Sequence, residues 1–464
     1  MKRLLTYTFL LLPFYTPAQL VSQRLQKAFQ QFEADSQLRH AISSLYVIDG
    51  ATGQVVFDKN SQIGLAPAST QKVITSVTAF ELLGKEYRYK TELGIIKKDN
   101  SDWISIKSSG DPTFGSSRFS STDKKKILET FYEKLNNAGV KTYFNLFYVD
   151  VTKHNGTFVP DGWIWQDIGN YYGAGATGLN WRENQFDITF KSPNQTGASA
   201  ELLAVNDNKQ AEISFINEVK AGEKGSGDNA YIYLPVGNGD YIVRGTIPPG
   251  QSNFRISGAA YDGVSYFVSD FGTYINERQM VSSTFGNRSS SYYVGKVPDS
   301  TKILYTHYSP SLDSIIYWFN KKSINLYGEA LMKTFAYEKQ GFGSTDSGVA
   351  IVKRFWKEKG LDEDELNISD GSGLSPLNRV TTHAQVEILK FAKKRDWFPY
   401  FYKSLPDYNG MAMKSGTISD VKGFCGYHKA KNGKEYIFSF LVNNYSGKTS
   451  ALVAKMFKVL DELK

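Results

Sequence analysis

Residues 69–79 read STQKVITSVTA, in which Ser69 and Lys72 stand three positions apart and a largely apolar run follows. In a helix, residues three apart lie on one face about one turn from each other, so the hydroxyl and the amine would be neighbours. A serine hydroxyl is a weak nucleophile unless a base lies beside it. A lysine serves as that base only when burial or another cation lowers its pKa, and the apolar residues behind Lys72 offer burial. Taken alone, the motif has a plainer alternative, a helix start with a chance lysine.

Two further short motifs contain residue types that such chemistry needs. Ser323-Ile324-Asn325 follows two lysines and combines a hydroxyl that can relay a proton with an amide that can bind a substrate amide. Lys414-Ser415-Gly416-Thr417 lies beside a predicted strand, whose edge could pair with an extended peptide. Each also has an ordinary structural alternative, a helix N-terminus for the first and a turn at a strand start for the second.

The order of the three motifs is more informative than any one of them. Serine β-lactamases and penicillin-binding proteins share S-x-x-K, S-D-N and K-T-G. Here the later two motifs differ only in the middle, with Ile324 for Asp and Ser415 for Thr. Ser323 follows Ser69 by 254 residues, far more than in a β-lactamase. The chain resembles the D-alanyl-D-alanine carboxypeptidase/endopeptidase family, the class C low-molecular-mass penicillin-binding proteins, which have a large insertion at this point. Further family-like phrases are GDPTF (110–114), SPSL (309–312), SINLYGEAL (323–331) and DGSGLS (370–375).

The resemblance implies a role for each residue of the first two motifs. Ser69 is the nucleophile that forms an acyl-enzyme, and Lys72 is the base for its hydroxyl. Ser323 relays a proton, and Asn325 holds the substrate amide. Asp150 lies where family members read the distal amine of the substrate, although an aspartate at the end of a strand is an ordinary alternative. The expected partners are peptidoglycan peptides and β-lactam antibiotics.

The third motif is expected to bind the end of the substrate. By the resemblance, Lys414 anchors the terminal carboxylate, with Ser415 beside it. Gly416 lets the backbone approach closely. The backbone N–H groups of Ser69 and Thr417 form the oxyanion hole that acyl transfer requires. The expected enzyme is a serine D-alanyl-D-alanine carboxypeptidase or DD-endopeptidase.

The implied fold is of the α/β (α+β) class, a serine β-lactamase/transpeptidase-like domain with an antiparallel sheet and helices. It carries a large β-rich insertion of two subdomains, because the middle of the chain is rich in Gly, Asn, Ser and aromatics with short alternating runs. The predicted divisions are a signal peptide at 1–18, a catalytic domain from 19–91 and 299–464, and the insertion at 92–298.

The two ends of the chain carry matching signals. Turn-forming residues at Asp49–Gly53 and at Asn432-Gly433 each separate two strand-like runs, which predicts two hairpins. Apolar spacing predicts amphipathic helices over 22–41 and at 452–463. Strands from both ends could therefore share one antiparallel sheet with the terminal helices packed on it.

The first residues indicate export. Lys2 and Arg3 precede the apolar run Leu4–Phe14, and Ala18 supplies a small residue for cleavage. No later stretch has about 18 apolar residues, so the expected protein is periplasmic or in the cell envelope, soluble or peripheral, without an integral membrane segment. The alternative is a buried N-terminal helix.

Composition narrows the classes of partner and cofactor. The net charge is +8, or +6 without the two bases of the first 18 residues, which suits an anionic wall polymer or simply solubility. A basic stripe interleaved with aromatics is missing, which argues against nucleic acid. Cys425 is the single cysteine, and the five histidines lack ligand spacing, so we expect neither a metal nor another cofactor.

Two rival functions remain open. Residues 363–367, EDELN, match the E-x-E-L-N loop that supplies a deacylating base in class A β-lactamases. An acidic helix end before a strand is the favoured explanation, because DGSGLS follows directly, as it does in the peptidase family. The other rival is a catalytically inactive peptidoglycan-binding protein, with the two substituted motifs as its symptoms.

Overall fold

The computed structural model describes residues 17–98, 101–140, 146–206, 214–235, 239–279 and 290–464. The predicted signal peptide at 1–18 lies almost wholly outside these residues and stays a prediction. The α-helices described are α1 (Pro17–Glu33), α2 (Lys72–Leu83), α3 (Lys124–Asn137), α4 (Trp165–Ile168), α5 (Gly263–Gln279), α6 (Leu312–Lys321), α7 (Asn325–Gln340), α8 (Thr345–Glu358), α9 (Thr382–Lys393), α10 (Phe398–Ser404) and α11 (Thr449–Leu460). Within these described ranges, no helix is long and apolar enough to cross a membrane.

Nineteen strands are described besides these helices. Those described are β1 (Ile42–Asp49), β2 (Val55–Lys59), β3 (Lys90–Lys98), β4 (Ser101–Ser108), β5 (Leu146–Asp150), β6 (Gln185–Lys191), β7 (Glu201–Asn206), β8 (Phe215–Ala221), β9 (Asn229–Tyr233), β10 (Tyr241–Ile247), β11 (Phe254–Ala259), β12 (Ser291–Val294), β13 (Lys302–Tyr308), β14 (Leu366–Asn367), β15 (Arg379–Val380), β16 (Asp407–Tyr408), β17 (Met411–Ile418), β18 (Val421–Lys429) and β19 (Glu435–Asn443).

A six-stranded antiparallel sheet joins the two ends of the chain, in the order β16-β17-β18-β19-β1-β2. β1 lies beside β19 over its whole length, from Ile42 opposite Asn443 to Asp49 opposite Tyr436. The two predicted hairpins are β1–β2 and β18–β19. The prediction of one antiparallel sheet built from both termini is confirmed.

Helices cover both faces of this sheet, because alternate residues of each strand point to opposite sides. On one face, α1 and α11 pack through Phe29 and Met456 against Phe440 of β19. On the other face, α2 buries Val73 and Val77 among helices α6 to α9. The predicted fold of an antiparallel sheet with helices is therefore confirmed.

The first helix differs from its predicted range of 22–41. α1 spans Pro17–Glu33, and a separate 3-10 turn follows at Ser36–Leu38. The side chain of Asp35 accepts a hydrogen bond from Gln37 N at 2.9 Å and starts this turn. A residue that caps a new turn competes with helix continuation, so the helix ends before it.

The middle of the chain is β-rich, as predicted, and it also contains the long helices α3 and α5. Its strands form a five-stranded sheet (β12-β5-β4-β3-β13) and two three-stranded sheets (β8-β10-β9 and β11-β6-β7). Phe131 of α3 and Phe271 of α5 lie in its separate apolar core. The five-stranded sheet extends to Tyr308 through β13, past the predicted limit of 298. The division into domains stays a prediction.

Helix α7 ties the middle of the chain to the helices of the six-stranded sheet. Asn325 Nδ2 donates to Tyr172 O at 2.7 Å, and Lys333 Nζ donates to Ala176 O at 2.7 Å. Each of these bonds joins the start or the centre of α7 to the segment that precedes β6. The middle of the chain therefore reaches directly to the residues of the second motif.

Candidate active site

Ser69 lies in the 3-10 turn Ala68–Gln71, which continues directly into α2. Ala68 has φ +45°, a left-handed conformation that costs a non-glycine residue about 1–3 kcal/mol and is typical of functional sites. Lys72 Nζ lies 2.9 Å from Ser69 Oγ. The serine and lysine that the spacing places on one face are thus in direct contact.

Lys72 is fully buried, and its amine makes three hydrogen bonds and lies 5.7 Å from the centroid of the Phe319 ring. Besides Ser69, its Nζ donates to Asn325 Oδ1 at 2.6 Å and to Ser372 O at 2.8 Å. Burial holds the pKa of Lys72 well below its usual range, and the nearby charge of Lys414 lowers this pKa further. An amine in this environment releases its proton more readily than a solvated lysine, so it can act as a base.

Ser323 and Lys414 form a second hydroxyl–amine pair. Ser323 lies just before α7 with φ +56°, again left-handed. Lys414 Nζ donates to Ser323 Oγ at 3.0 Å and to Ser415 O at 2.8 Å. Lys414 is 1% exposed, and burial lowers its pKa to about 7. Its amine therefore does not line the cleft and faces it through Ser323.

Gly416 brings strand β17 against the nucleophile. A Cβ added to Gly416 would lie 2.6 Å from Pro67 O, 2.8 Å from Thr70 N and 2.9 Å from Ser69 N. All three atoms belong to backbone, which cannot swing aside as a side chain does. Only glycine therefore allows the strand to approach the N–H of Ser69 so closely.

We expect Gly416→Ala to slow acylation of Ser69 by about 10²-fold, because a small displacement of reacting groups commonly costs that much. The rate of labelling by a fluorescent penicillin measures the effect. Gly239→Ala is the matched control, since only a proline side-chain atom at 3.8 Å lies near its added Cβ. Equal labelling rates in both variants would show that the strand can move away without consequence.

The motif residues meet at a cleft of about 510 Å³. Ser69, Ser323, Asn325 and Thr417 line it from the side of the six-stranded sheet. Residues from the middle of the chain that face them include Arg118, Gln166, Asp167, Tyr171, Tyr172 and Tyr231. The cleft thus combines the reactive hydroxyl with amide, carboxylate, phenol and guanidinium groups able to bind a polar peptide.

Two residues expected at the site lie elsewhere. Asp150, at the end of β5, does not line the cleft, and its carboxylate accepts bonds from Thr152 N, Thr152 Oγ1 and Val297 N at 2.7–3.1 Å. These contacts match the alternative interpretation, a strand-end aspartate. Ser415 follows Lys414 along β17, so its side chain points to the opposite face of the sheet. There its Oγ lies 3.4 Å from Tyr408 OH.

Two residues near the site, Asp167 in the cleft and Lys422 behind Thr417, belong to none of the three motifs. Asp167 precedes the 3-10 turn of Tyr172, which donates to its carboxylate at 3.3 Å, and burial raises the pKa of Asp167. Lys422 of β18 is 8% exposed and donates to Thr417 Oγ1 at 2.8 Å. Burial lowers the pKa of Lys422 to about 8. Lys422 reaches the site through the register of β17 and β18, which sets it opposite Thr417.

Asp370, in the DGSGLS phrase, fixes the loop that carries the Ser372 carbonyl. It is fully buried, and its two oxygens accept five hydrogen bonds of 2.7–3.0 Å. The donors are Gln71 Nε2, Trp163 Nε1, Gly373 N, Ser375 N and Asn378 Nδ2. This one carboxylate therefore connects the turn of Ser69, the middle of the chain and the loop whose Ser372 carbonyl accepts a hydrogen bond from Lys72.

The remaining candidate groups make no hydrogen bond to Ser69, Lys72, Ser323 or Lys414 among the described residues, although Cys425 lies opposite Lys414 and its Sγ donates to Thr70 O at 3.8 Å. Glu363 forms a salt bridge with Lys357 at 3.2 Å, its side chain is 44% exposed, and it does not line the cleft. Cys425 is a buried free thiol in β18. The described residues contain no cluster of His, Cys, Asp and Glu able to hold a metal ion.

Comparison with known families decides the relationship. The D-Ala-D-Ala carboxypeptidase 3 (S13) family matches residues 25–407. The chain belongs to this family. The predicted family and the prediction of a D-Ala-D-Ala carboxypeptidase enzyme are both confirmed.

Individual S13 relatives are similar over most of their length. A D-alanyl-D-alanine carboxypeptidase of an Actinomadura species is 27% identical over 444 residues, which cover 89% of this chain and 80% of the relative. A D-alanyl-D-alanine carboxypeptidase of Haemophilus influenzae is 23% identical over 425 residues, covering 85% and 83%. The crystal structure of penicillin-binding protein 4 from H. influenzae has the same fold, with a TM-score of 0.75 over 97% of this chain and 99% of that chain at 18% identity.

Proposed function

We propose that this S13 family member is an exported serine D-alanyl-D-alanine carboxypeptidase and DD-endopeptidase that acts on peptidoglycan stem peptides. The observation that carries the proposal is the 2.9 Å contact between Ser69 Oγ and the buried amine of Lys72 in an open cleft. A hydroxyl beside an amine of lowered pKa is an activated nucleophile. The site needs neither metal nor cofactor for this chemistry.

In the proposed acylation, Ser69 Oγ attacks the carbonyl carbon of the penultimate D-Ala while Lys72 Nζ takes the hydroxyl proton. The C–N bond breaks, and the terminal D-Ala leaves as an amine after it receives a proton. The Ser323 hydroxyl, held by Lys414 at 3.0 Å, is placed to pass that proton. Water then attacks the ester carbonyl: its oxygen and one proton stay with the peptide as a carboxylic acid, and its other proton goes to Ser69 Oγ as the ester C–O bond breaks.

The developing oxyanion is proposed to lie between the backbone N–H groups of Ser69 and Thr417. The close approach of Gly416 to Ser69 N, 2.9 Å from an added Cβ, supports this placement because Thr417 is the next residue of β17. Two preorganised N–H donors at such a position stabilise the charge that forms in the transition state.

The two ends of the substrate are proposed to meet opposite charges. The terminal carboxylate would lie at Thr417 and Ser323, with the amines of Lys422 and Lys414 behind their hydroxyls. Asp167, which lines the cleft, is the carboxylate able to meet a distal amine, in place of Asp150. Asn325 already donates one N–H to Tyr172 O and accepts from Lys72, so a second N–H remains for a substrate carbonyl.

We expect Lys422→Met to lower kcat/KM for peptides with a free C-terminal carboxylate by about 10-fold or more, because a hydrogen bond to a charged group is worth about 1.5–3 kcal/mol. The same peptides with a C-terminal amide should be affected much less. Lys429→Met, on the same strand with a side chain 69% exposed, is the matched control. An equal loss for acid and amide substrates would remove Lys422 from carboxylate binding.

The two rivals are less well supported by the arrangement. Glu363 is a solvated partner of Lys357, so it lacks the contact with the Ser69 ester that a deacylating base needs. Neither substituted side chain has a role in the proposed chemistry. Ile324 lines the cleft without a polar group, and the Ser415 hydroxyl lies 3.4 Å from Tyr408 OH. Rapid turnover of nitrocefin that stops in Glu363→Gln would instead favour a β-lactamase.

Export is part of the proposal, because peptidoglycan lies outside the cytoplasmic membrane. The basic and apolar layout of residues 1–18 supports it. Digestion of purified sacculi tests the proposed activity. We expect release of free D-Ala from pentapeptides and conversion of cross-linked muropeptides to monomers, both absent with Ser69→Ala. Sacculi left unchanged by a folded, penicillin-labelled protein would contradict it.

A further inference from the structure

Arg118 lines the catalytic cleft, and the reaction proposed above gives it no role. It belongs to the middle of the chain and follows the family-like segment GDPTF (110–114). Its side chain is 30% exposed, so the guanidinium is partly open to a ligand. A guanidinium presents a planar fork of N–H donors that matches the two oxygens of a carboxylate. The position of Arg118 therefore raises the question of which substrate group it meets.

A buried carboxylate holds this guanidinium in place. Arg118 Nε donates to Glu183 Oε1 at 2.7 Å, and Arg118 Nη2 donates to Glu183 Oε2 at 3.0 Å. Glu183 is 6% exposed, and its Oε1 also accepts from Ser116 Oγ and Tyr327 OH, each at 2.8 Å. Of the five N–H groups of a guanidinium, Glu183 uses only two. The carboxylate thus fixes the orientation of the fork and leaves part of it for another acceptor.

The turn that carries Glu183 has an unusual backbone. Three consecutive residues, Arg182, Glu183 and Asn184, have φ of +54°, +57° and +51°. This left-handed conformation is unfavourable for residues with a side chain, and it clusters at functional sites. Arg182 N donates to Phe114 O at 3.0 Å, which ties the turn to the segment just before Arg118. The strained turn thereby places Glu183 beside Arg118.

The same network connects Arg118 to the helices on either side of the second motif. Tyr327, which donates to Glu183, lies two residues after Asn325 on α7. The guanidinium carbon of Arg118 lies 5.7 Å from the centroid of the Trp318 ring on α6. Among the described residues, Arg118 makes no hydrogen bond to β17. It is therefore held by the wall of the cleft that carries Asn325.

We propose that Arg118 binds a second carboxylate of the substrate, on the acyl side of the scissile bond. The inference rests on the proposed function, in which the terminal carboxylate meets Thr417 and Ser323. The terminal D-Ala carries only that one carboxylate, so any further carboxylate of a pentapeptide belongs to the part that becomes the acyl group. Stem peptides offer one there, either the α-carboxylate of a γ-linked D-Glu or the second carboxylate of a diaminopimelate.

The chemistry of the fork favours a carboxylate over a carboxamide at this position. Because Glu183 balances the charge of Arg118, the selectivity comes from directed N–H donors more than from long-range attraction. A carboxamide would turn its own N–H donors toward a group that can only donate. Such a mismatch acts against amidated peptides as well as in favour of acidic ones. Lys322, an exposed cation that also lines the cleft, is compatible with an acidic substrate.

Calorimetry on the full chain carrying Ser69→Ala tests the proposal, because pentapeptides can then bind without being cleaved. The reference peptide is L-Ala-D-isoglutamine-L-Lys-D-Ala-D-Ala, which has no carboxylate on the acyl side. Two further peptides each restore one, with γ-linked D-Glu in place of isoglutamine or diaminopimelate in place of Lys. We expect one of them to bind about 10-fold or more tightly than the reference. Which one does so identifies the source of the carboxylate.

A double variant removes the guanidinium without leaving a buried charge. Arg118→Met alone would deprive the buried Glu183 carboxylate of its cation, so it is combined with Glu183→Gln. We expect the double variant to lose the preference for the acidic peptide and to bind the reference peptide as before. Arg255→Met is the matched control, because Arg255 pairs with Asp187 at 3.2 Å but does not line the cleft. The control should keep the preference.

The outcomes separate this subsite from the peptidase proposal. A preference that persists in the double variant, or equal binding of all three peptides before the substitutions, would overturn the role of Arg118. An equal loss for all three peptides would show that Arg118 only shapes the cleft, and would overturn it too. Absence of binding by every peptide would also overturn it. Failure of penicillin to label Ser69 in the chain that keeps this serine would count against the peptidase proposal alone.

Discussion

Ser69→Ala is expected to abolish covalent labelling by benzylpenicillin and to lower kcat/KM for D-Ala release by at least about 10⁴-fold, the scale seen when a serine nucleophile is removed. No other hydroxyl is in contact with Lys72 among the described residues. The fold should survive, because the variant loses one hydrogen bond at a partly exposed side chain, worth about 1 kcal/mol.

Mass spectrometry of a peptic digest would locate the adduct in the wild-type protein. It should lie on the peptide that contains Ser69. Ser419→Ala is the matched control, since Ser419 is a serine of the same cleft and should leave labelling intact. An adduct on another residue, or labelling that persists in Ser69→Ala with a normal melting temperature, would show that the nucleophile is elsewhere.

The contact between Ser69 and Lys72 could be predicted from sequence because it depends only on the geometry of one helical turn. A spacing of three residues places Ser69 and Lys72 on one face, and the structure gives their contact as 2.9 Å. The contact between Ser323 and Lys414 joins residues 91 positions apart. Spacing says nothing about such a pair, so the family resemblance was the only guide to it.

The residues that sequence analysis missed act through tertiary structure. Lys422 reaches Thr417 because β17 and β18 place them opposite each other, and a lysine in a strand has no signature of its own. Asp370 belongs to the family-like segment DGSGLS, yet two of its five donors, Gln71 and Trp163, come from distant segments of the chain. Asp167 belongs to a short helix whose relation to the cleft depends on how the middle of the chain packs against α7.

Local propensity also concealed a long helix. The segment of α5, GVSYFVSDFGTYINERQ, is rich in Gly, Ser, Thr and aromatic residues, which are mediocre or poor helix formers. It is helical because Val264, Phe267, Phe271 and Ile275 recur at helical spacing and are buried in the core of the middle region. The composition of this segment favours strands, but burial of its apolar face stabilises a helix.

Lys72→Met is expected to slow acylation by benzylpenicillin about 10²- to 10⁴-fold, the usual contribution of a general base. Methionine fills a similar volume but cannot accept the proton of Ser69. The substitution removes the donor to Asn325 Oδ1 and Ser372 O, and each unsatisfied acceptor destabilises the fold by about 1–3 kcal/mol. It also removes the unfavourable burial of an amine, which offsets part of that loss. Thermal unfolding should therefore remain cooperative in the variant.

The pH dependence separates a base from a merely structural lysine. Burial holds the pKa of Lys72 well below its usual range, so the reactive neutral amine forms as pH rises through that lowered pKa. The wild-type acylation rate should rise across that interval, and Lys72→Met should lose this limb. Lys333→Met is the control, because Lys333 is 2% exposed with a pKa lowered by burial to about 8, yet its amine donates to Thr157 O and Ala176 O and not to Ser69. The control should keep the limb.

The pH dependence of protein stability tests the lowered pKa of Lys72 independently of catalysis. Because the pKa of Lys72 is lower in the folded chain than in the unfolded one, the native state binds fewer protons between these two values. The contribution of Lys72 to the stability of the wild-type protein therefore rises as pH increases from its folded pKa to its unfolded pKa, and it is lowest on the acidic side of this interval. Lys72→Met should flatten the slope of melting temperature against pH there. A variant that flattens this slope but keeps the acidic limb of acylation would show that Lys72 is buried as assigned, while another group takes the proton from Ser69.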